Sequence, residues 1–334
     1  MSSLVMIEQP KTVVLSETTP RVDASNPDAS LDKESLEKAS LLDEEVTLAV
    51  QKPVTSSIRK TMRLLHSIGG FRARFRGLGV SIVYHIAHAI AVNLITMVMD
   101  VFVNDGWAPS KFILATILAT ILLCRIHMTW THVMITQPSQ LSWFKRIPQG
   151  KKYFKALILP SLAFSLAQYL TILMPIGVFF LFGGLPSTQS EVNASNETMR
   201  MLSAFATLVF VAVAILLPAS VTLARVEASL LPENEETIVN FDRTFNGAAT
   251  FAITENDVNA RALFDAAWRS FDVPARVRLI GFFVKMTLIQ TFIVICGMIS
   301  FVTLFFAIGD LKLSSFVVAG AAQVQLAHMG VGQN

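Results

Sequence analysis

Long apolar runs separated by shorter polar stretches dominate the pattern of this chain. Those at 78–103, 112–133, 156–183, 201–224 and 279–308 are each long enough, at 1.5 Å per helical residue, to cross about 30 Å of hydrocarbon. Backbone groups in hydrocarbon find no water, so such runs must close their hydrogen bonds internally as helices. The pattern predicts an all-α fold, a polytopic transmembrane helix bundle with five spans. A sixth candidate, 313–331, is rich in Ala, Gly and Gln and carries His328; its transfer from water is less favourable, and it either spans or lies at the surface. Residues 1–57 are rich in Ser, Thr, Asp, Glu and Pro and show no periodicity, which predicts a disordered acidic tail. The tail has neither the apolar core of a signal peptide nor the basic character of a mitochondrial presequence. A basic juxtamembrane segment, 58–77, leads into a helical domain at 78–334, within which 225–278 is expected to be a folded cytosolic loop.

Composition agrees with the pattern. Hydrophobic residues make up 53% of the chain and charged ones 15%, and the mean hydropathy is +0.55, far from the balance of an ordinary soluble domain. Charge then supplies an orientation. Arg72, Arg74 and Arg76 precede the first span, Lys145, Arg146, Lys151, Lys152 and Lys155 lie between the second and third, and Arg261, Arg269, Arg276 and Arg278 precede the fifth. The positive-inside rule places these segments and the N-terminus in the cytosol. The loop between spans three and four carries glycosylation sequons at Asn193 and Asn196, which fits the opposite, lumenal or external side. In the tail, Glu37 stands four residues before Leu41 and Leu42, the form of an acidic dileucine sorting motif read by coat adaptors. The expected location is therefore a membrane of the secretory pathway, the vacuole or the cell surface. Aromatic and basic stretches before the odd spans, "GGFRARFRGL", "SWFKRIPQGKKYFK" and "AAWRSFDVPARVRL", read as interfacial helices with Phe71, Trp143 and Trp268 at headgroup depth.

The candidate chemistry lies in "LLCRIHMTWTHVMIT" (122–136), where Arg125, His127 and His132 interrupt the second span. The plainer reading is an anchored helix end: Arg125 lies about 9 Å from the cytosolic edge and reaches water by snorkelling, as does Arg225 at the end of span four. The sharper reading groups Arg125, His127, Lys285, His85 and His88 in the cytosolic half of the bilayer, with no carboxylate within the spans to pair with them. Such a cluster attracts an anionic ligand or lipid headgroup. His85 and His88 share a helical face, which leaves a bis-His haem as an alternative. Six histidines in all are too few for an eight-histidine di-iron cluster. The chain has no glycine-rich phosphate loop, G-x-S-x-G elbow or H-E-x-x-H motif, so no catalytic residues, metal site or cofactor are assigned, and nucleic acid is not an expected partner. Membrane lipids and a cytosolic protein partner are. Two further readings remain: a transporter of a small amphipathic metabolite, supported if helices break near Pro160 and Pro175, and a membrane enzyme of secondary metabolism.

The stretches "HMTWTHVMITQPSQLSWFKRIP", "RVEASLLPENEETIVNFDRTFNG" and "AWRSFDVPARVRLIGFFVKMTLIQ" resemble a family of multi-pass proteins of filamentous fungi whose members often carry the label "ubiquitin carrier". The resemblance covers about residues 60–305 and implies a membrane protein of fungal endomembranes or plasma membrane. Ubiquitin transfer needs a solvent-reachable thiolate. The two cysteines, Cys124 and Cys296, both fall within the apolar runs, so that activity is not expected of this chain.

Overall fold

The computed structural model describes residues 2–9, 11–15, 47–51, 53–103, 108–139, 141–183, 194–232, 234–250, 252–253 and 257–308. The sixth candidate span, the dileucine motif (Glu37, Leu41, Leu42) and Asn193 lie outside them. Two compact units divide the chain, 1–277 and 278–334, and each is taken by itself. The helices of the first unit are α1 (Ser2–Ile7), α2 (Ile58–Gly69), α3 (Leu78–Phe102), α4 (Ala108–Leu122), α5 (Cys124–Ile135), α6 (Lys151–Gly183), α7 (Ala194–Val211), α8 (Leu217–Ser229) and α9 (Ala260–Arg269). Helix α10 (Val273–Ile308) runs into the second unit and supplies that unit's described residues. Two short strands, β1 (Lys11–Leu15) and β2 (Thr47–Gln51), pair antiparallel.

Four helical stretches are long and apolar enough to cross a membrane, or five if α4 and α5 count as one bent span. Their apolar surface points outward, as lipid-facing helices require: Ile82, Ile86, Ile90 and Leu94 on α3 and Leu202, Phe205 and Val209 on α7 are all exposed. The second span does not run straight. A bend of 58° separates α4 from α5 at Leu123, whose carbonyl accepts from the N–H groups of both Ile126 and His127. Neither Pro nor Gly causes it. Beyond the bend the polar side chains of α5 find partners inside the protein that a straight continuation would not reach. The breaks near Pro160 and Pro175 that would have supported a transporter are absent, since α6 is continuous through both. The break that proline does explain is in the fourth span. Ala212–Leu216 form a π turn just ahead of Pro218, whose ring nitrogen cannot donate and whose ring crowds the carbonyl four residues back.

Helix α8 is the hub of the first unit. All its residues except Ser220 are buried, and small ones, Ala219, Ala224 and Ala228, allow close approach of its neighbours. One apolar cluster joins Met128 of α5, Leu157 of α6, Val226 of α8 and Leu263 of α9 to Phe245, Ala249 and Val258 of the segment after α8. The expected folded loop is thus packed onto the helix ends. Arg146 fastens it from the other side with a two-pronged ion pair to Glu235, Nε to Oε1 3.0 Å and Nη2 to Oε2 2.6 Å. Within the loop, Asp242 accepts from the Thr244 N–H, the Thr244 hydroxyl and the Asn246 N–H, holding three successive left-handed residues, Phe245, Asn246 and Gly247.

The expected featureless tail is not uniform. Residues 16–46 are outside the described set, but α1 is a buried element with Leu4 and Ile7 in a cluster with Ile135, Ala224 and Ala228. Six residues are far too few to be helical alone; burial of Leu4 and Ile7, about 2 kcal/mol each, holds this turn. The buried Glu8 carboxylate then accepts from the backbone N–H groups of Val54 and Thr55 at 2.8 and 2.9 Å and from the Thr55 hydroxyl, which anchors 53–56 beside α1. Short helical turns also mark the expected interfacial segments, at Phe71–Phe75, Trp143–Arg146 and α9.

Candidate functional site

The polar residues of α5 converge on one carboxylate. Glu227, on α8, accepts from His127 Nδ1 at 2.6 Å and from the Thr131 hydroxyl at 2.5 Å, and its backbone carbonyl accepts from His132 Nε2 at 2.7 Å. Its side chain is 1% exposed. This corrects the expectation that the bases of the spans have no acid among them. Helix α8 continues the fourth apolar run past residue 224, so Glu227 belongs to the helix and not to a loop. Arg225 is likewise corrected from a snorkelling anchor to a buried group: at 1% exposure it donates to the Met6 carbonyl at 3.1 Å and to the Ser270 hydroxyl at 2.6 Å, beside the Phe271 ring.

Beside Glu227 lies a cavity of about 470 Å³ between α1, α3, α4, α5, α6 and α8. His85, His88 and His127 all line it, as the sequence grouping requires, packed around Tyr84 and Trp130 with ring centroids 5.3 to 6.1 Å apart. Hydrogen-bond logic fixes the tautomer of each neutral ring. The Ser81 carbonyl 2.7 Å from His85 Nδ1 can only accept, so Nδ1 carries the hydrogen. Thr120 spends its own hydrogen on the Thr116 carbonyl and accepts from His88 Nε2 at 3.1 Å. The Glu227 carboxylate accepts from His127 Nδ1. One lone pair therefore remains on His85 Nε2 and on His88 Nδ1, while His127 forms an ion pair with Glu227. Ser3 and Met6 of α1 also line the cavity, held there by the Arg225 bond to Met6.

Arg125 does not join this group. Its guanidinium donates to the Pro148 carbonyl, from Nε at 2.9 Å and also from Nη2, and it lines a separate hollow with Lys151, Lys152 and Lys155. Lys155 there meets Asp257 at 2.9 Å, and the ammonium, with the Val258 N–H, holds the Asp257 carboxyl below its usual range. Lys285 belongs to the second unit. Asn196 is exposed in the first turn of α7.

A third hollow, about 380 Å³, was not singled out from the sequence. Arg72, Arg76, Arg146 and Trp143 line it together with Gly77, Gly79 and Val80 at the start of α3. Arg146 is neutralised by Glu235, whereas Arg72 and Arg76 have no ion pair among the described residues. Arg76 Nη1 is buried and has no hydrogen-bond partner among them. Gly77 makes this turn with a left-handed φ of 74°. A Cβ there would come within 2.8 Å of Met134 Sδ and 3.0 Å of Trp130 Cδ1, so only glycine lets the hollow and the cavity wall pack back to back.

Among the described residues no three His, Cys, Asp or Glu side chains are placed to share a metal ion. Cys124 is buried within the cluster around Met128 and Leu157. Compared with models of known protein families and with curated proteins, the chain matches none.

Proposed function

We propose that this is a non-enzymatic integral membrane protein that holds an anionic lipid headgroup at the cytosolic leaflet, in the hollow of Arg72, Arg76 and Trp143. The observation that carries the reading is the buried Arg76 Nη1 without a partner among the described residues, in a hollow that none of their carboxylates lines. Leaving such a donor unpaired is costly, and a phosphate oxygen removes the cost. The first N–H groups of α3, at Leu78, Gly79 and Val80, precede the first helical bond from Ser81 to the Gly77 carbonyl and favour an anion as well. Trp143 suits the headgroup zone. The site moves the lipid contact away from Arg125 and the histidines. The orientation that goes with it has the N-terminus, the segment around Arg146 and the 230–259 segment cytosolic, in a fungal endomembrane or plasma membrane.

Lipid analysis of the purified protein tests this. Arg72→Gln with Arg76→Gln removes two charges worth about 1 kcal/mol each against an anionic surface, so co-purified anionic phospholipid falls roughly thirtyfold relative to phosphatidylcholine. Unchanged lipid content rejects the reading. Inorganic phosphate at millimolar concentration displacing the lipid would identify a phosphate site instead of a lipid site.

A further inference from the structure

We propose that the cavity beside Glu227 is a second, separate binding site, and that its ligand is a protonated amine carried on an apolar body. Three observations select that chemistry. The first is charge: Glu227 contributes a carboxylate to the wall, and no Lys or Arg lines it among the described residues. The counter-charge already beside it is His127, 2.6 Å away; a cationic ligand shares the carboxylate with that ring, whereas an anionic ligand meets the carboxylate's repulsion.

The second is the balance of donors and acceptors. With their tautomers fixed by Ser81 and Thr120, the His85 and His88 imidazoles offer lone pairs. The Glu227 carboxylate has spent two of its four acceptor positions, on His127 and Thr131, and Gln168 adds an amide oxygen. A wall rich in acceptors calls for a ligand rich in donors, and an ammonium group brings up to three N–H bonds. The third is the pair of ring systems, Tyr84 and Trp130, 6.1 Å apart. Aromatic faces attract a cation, most strongly where water is excluded. Phe164, Met134 and Leu223 line the remainder of the cavity, which suits an apolar body. A small number of placed polar groups in an otherwise apolar pocket is the usual form of a small-molecule site.

The test uses the full chain in phosphatidylcholine nanodiscs, with radiolabelled n-octylamine, n-octanol and n-octanoate measured against empty discs to subtract partitioning. The amine binds saturably and at least tenfold more tightly than the alcohol, and the carboxylate binds weakest. Glu227→Gln lowers amine affinity tenfold or more and leaves the alcohol unchanged. Because Glu227 also ties α5 to α8, that variant risks misfolding. Gln168→Lys, on the exposed side of α6, adds a cation to the wall without touching those bonds, and it abolishes amine binding while improving that of octanoate. Equal binding of amine and alcohol, or amine binding indifferent to Gln168→Lys, overturns the assignment, as does the absence of saturable amine binding to the wild type. None of these results bears on the lipid hollow, which neither variant touches.

Discussion

The two sites lie on opposite sides of Gly77 and differ in how each manages charge. In the hollow, among the described residues, two guanidinium groups stand without a carboxylate and one buried nitrogen is unpaired; in the cavity, one carboxylate is enclosed by hydrogens from His127 and Thr131. The difference teaches that burial alone does not mark a binding site. On the proposed reading an anion completes the hollow, whereas the donors around Glu227 are already bonded within the protein and only acceptor positions are left for a ligand. Removing a polar group should therefore have opposite consequences in the two places.

The largest effect is expected at Glu227. Glu227→Leu strands His127, Thr131 and the neighbouring acceptors, and breaking a buried pair on one side costs about 3 to 5 kcal/mol, visible as a marked fall in thermal unfolding temperature. Arg76→Gln removes an unpaired donor, so its stability stays within about 0.5 kcal/mol of wild type or rises in lipid-free detergent. If both variants lose stability alike, the contrast between the regions is wrong. Gly77→Ala, placed between them, costs about 1 to 2 kcal/mol from its left-handed φ and the pressure of its Cβ on Met134, and it weakens lipid and amine binding together. Salt separates the sites further: raising ionic strength from 0.05 to 0.5 M shortens the Debye length and should release lipid from the hollow several-fold while amine binding in the cavity hardly changes.

The smallest effect serves as a control away from both sites. Partial burial raises the Asp242 carboxyl, but hydrogen bonds from Asn246 and Thr244 outweigh it, so the folded group lies below its usual value. A depressed folded value gives stability that is present above the unfolded value near 4 and lost as pH falls through the folded one. Asp242→Asn should remove this acid-limb dependence, at a neutral-pH cost of about 1 kcal/mol from trading charged for neutral hydrogen bonds, without altering either ligand. Unfolding curves at pH 3 and 7 for wild type and variant check it.

Much of the fold was legible because hydrophobic length is a local property. The first span was expected at 78–103 and α3 covers Leu78–Phe102; the aromatic and basic stretches do contain short helical turns. Of the candidate residues, His85, His88 and His127 line one cavity, a proximity readable from the short stretch of chain that separates α3 from α5. Glu227 was missed because its contact with His127 spans 100 residues of sequence, although its place in the unbroken run "LPASVTLARVEASLL" was a usable clue that this acid sits on a helix. Arg125 was misplaced because the bend at Leu123 has no proline or glycine to announce it. Helix α1 was missed because six residues carry no period, and its burial depends on α5 and α8.

That last element bears on how the molecule assembles. Met6 is fastened by a side chain 219 positions further along the chain, so the segment holding Ser2–Ile7 leaves the ribosome well before its seat exists. It must wait, undocked, until the fourth span has been inserted, and its arrival then closes the cavity wall at Ser3 and Met6. A bulky reporter placed immediately ahead of Ser2 would obstruct that late step.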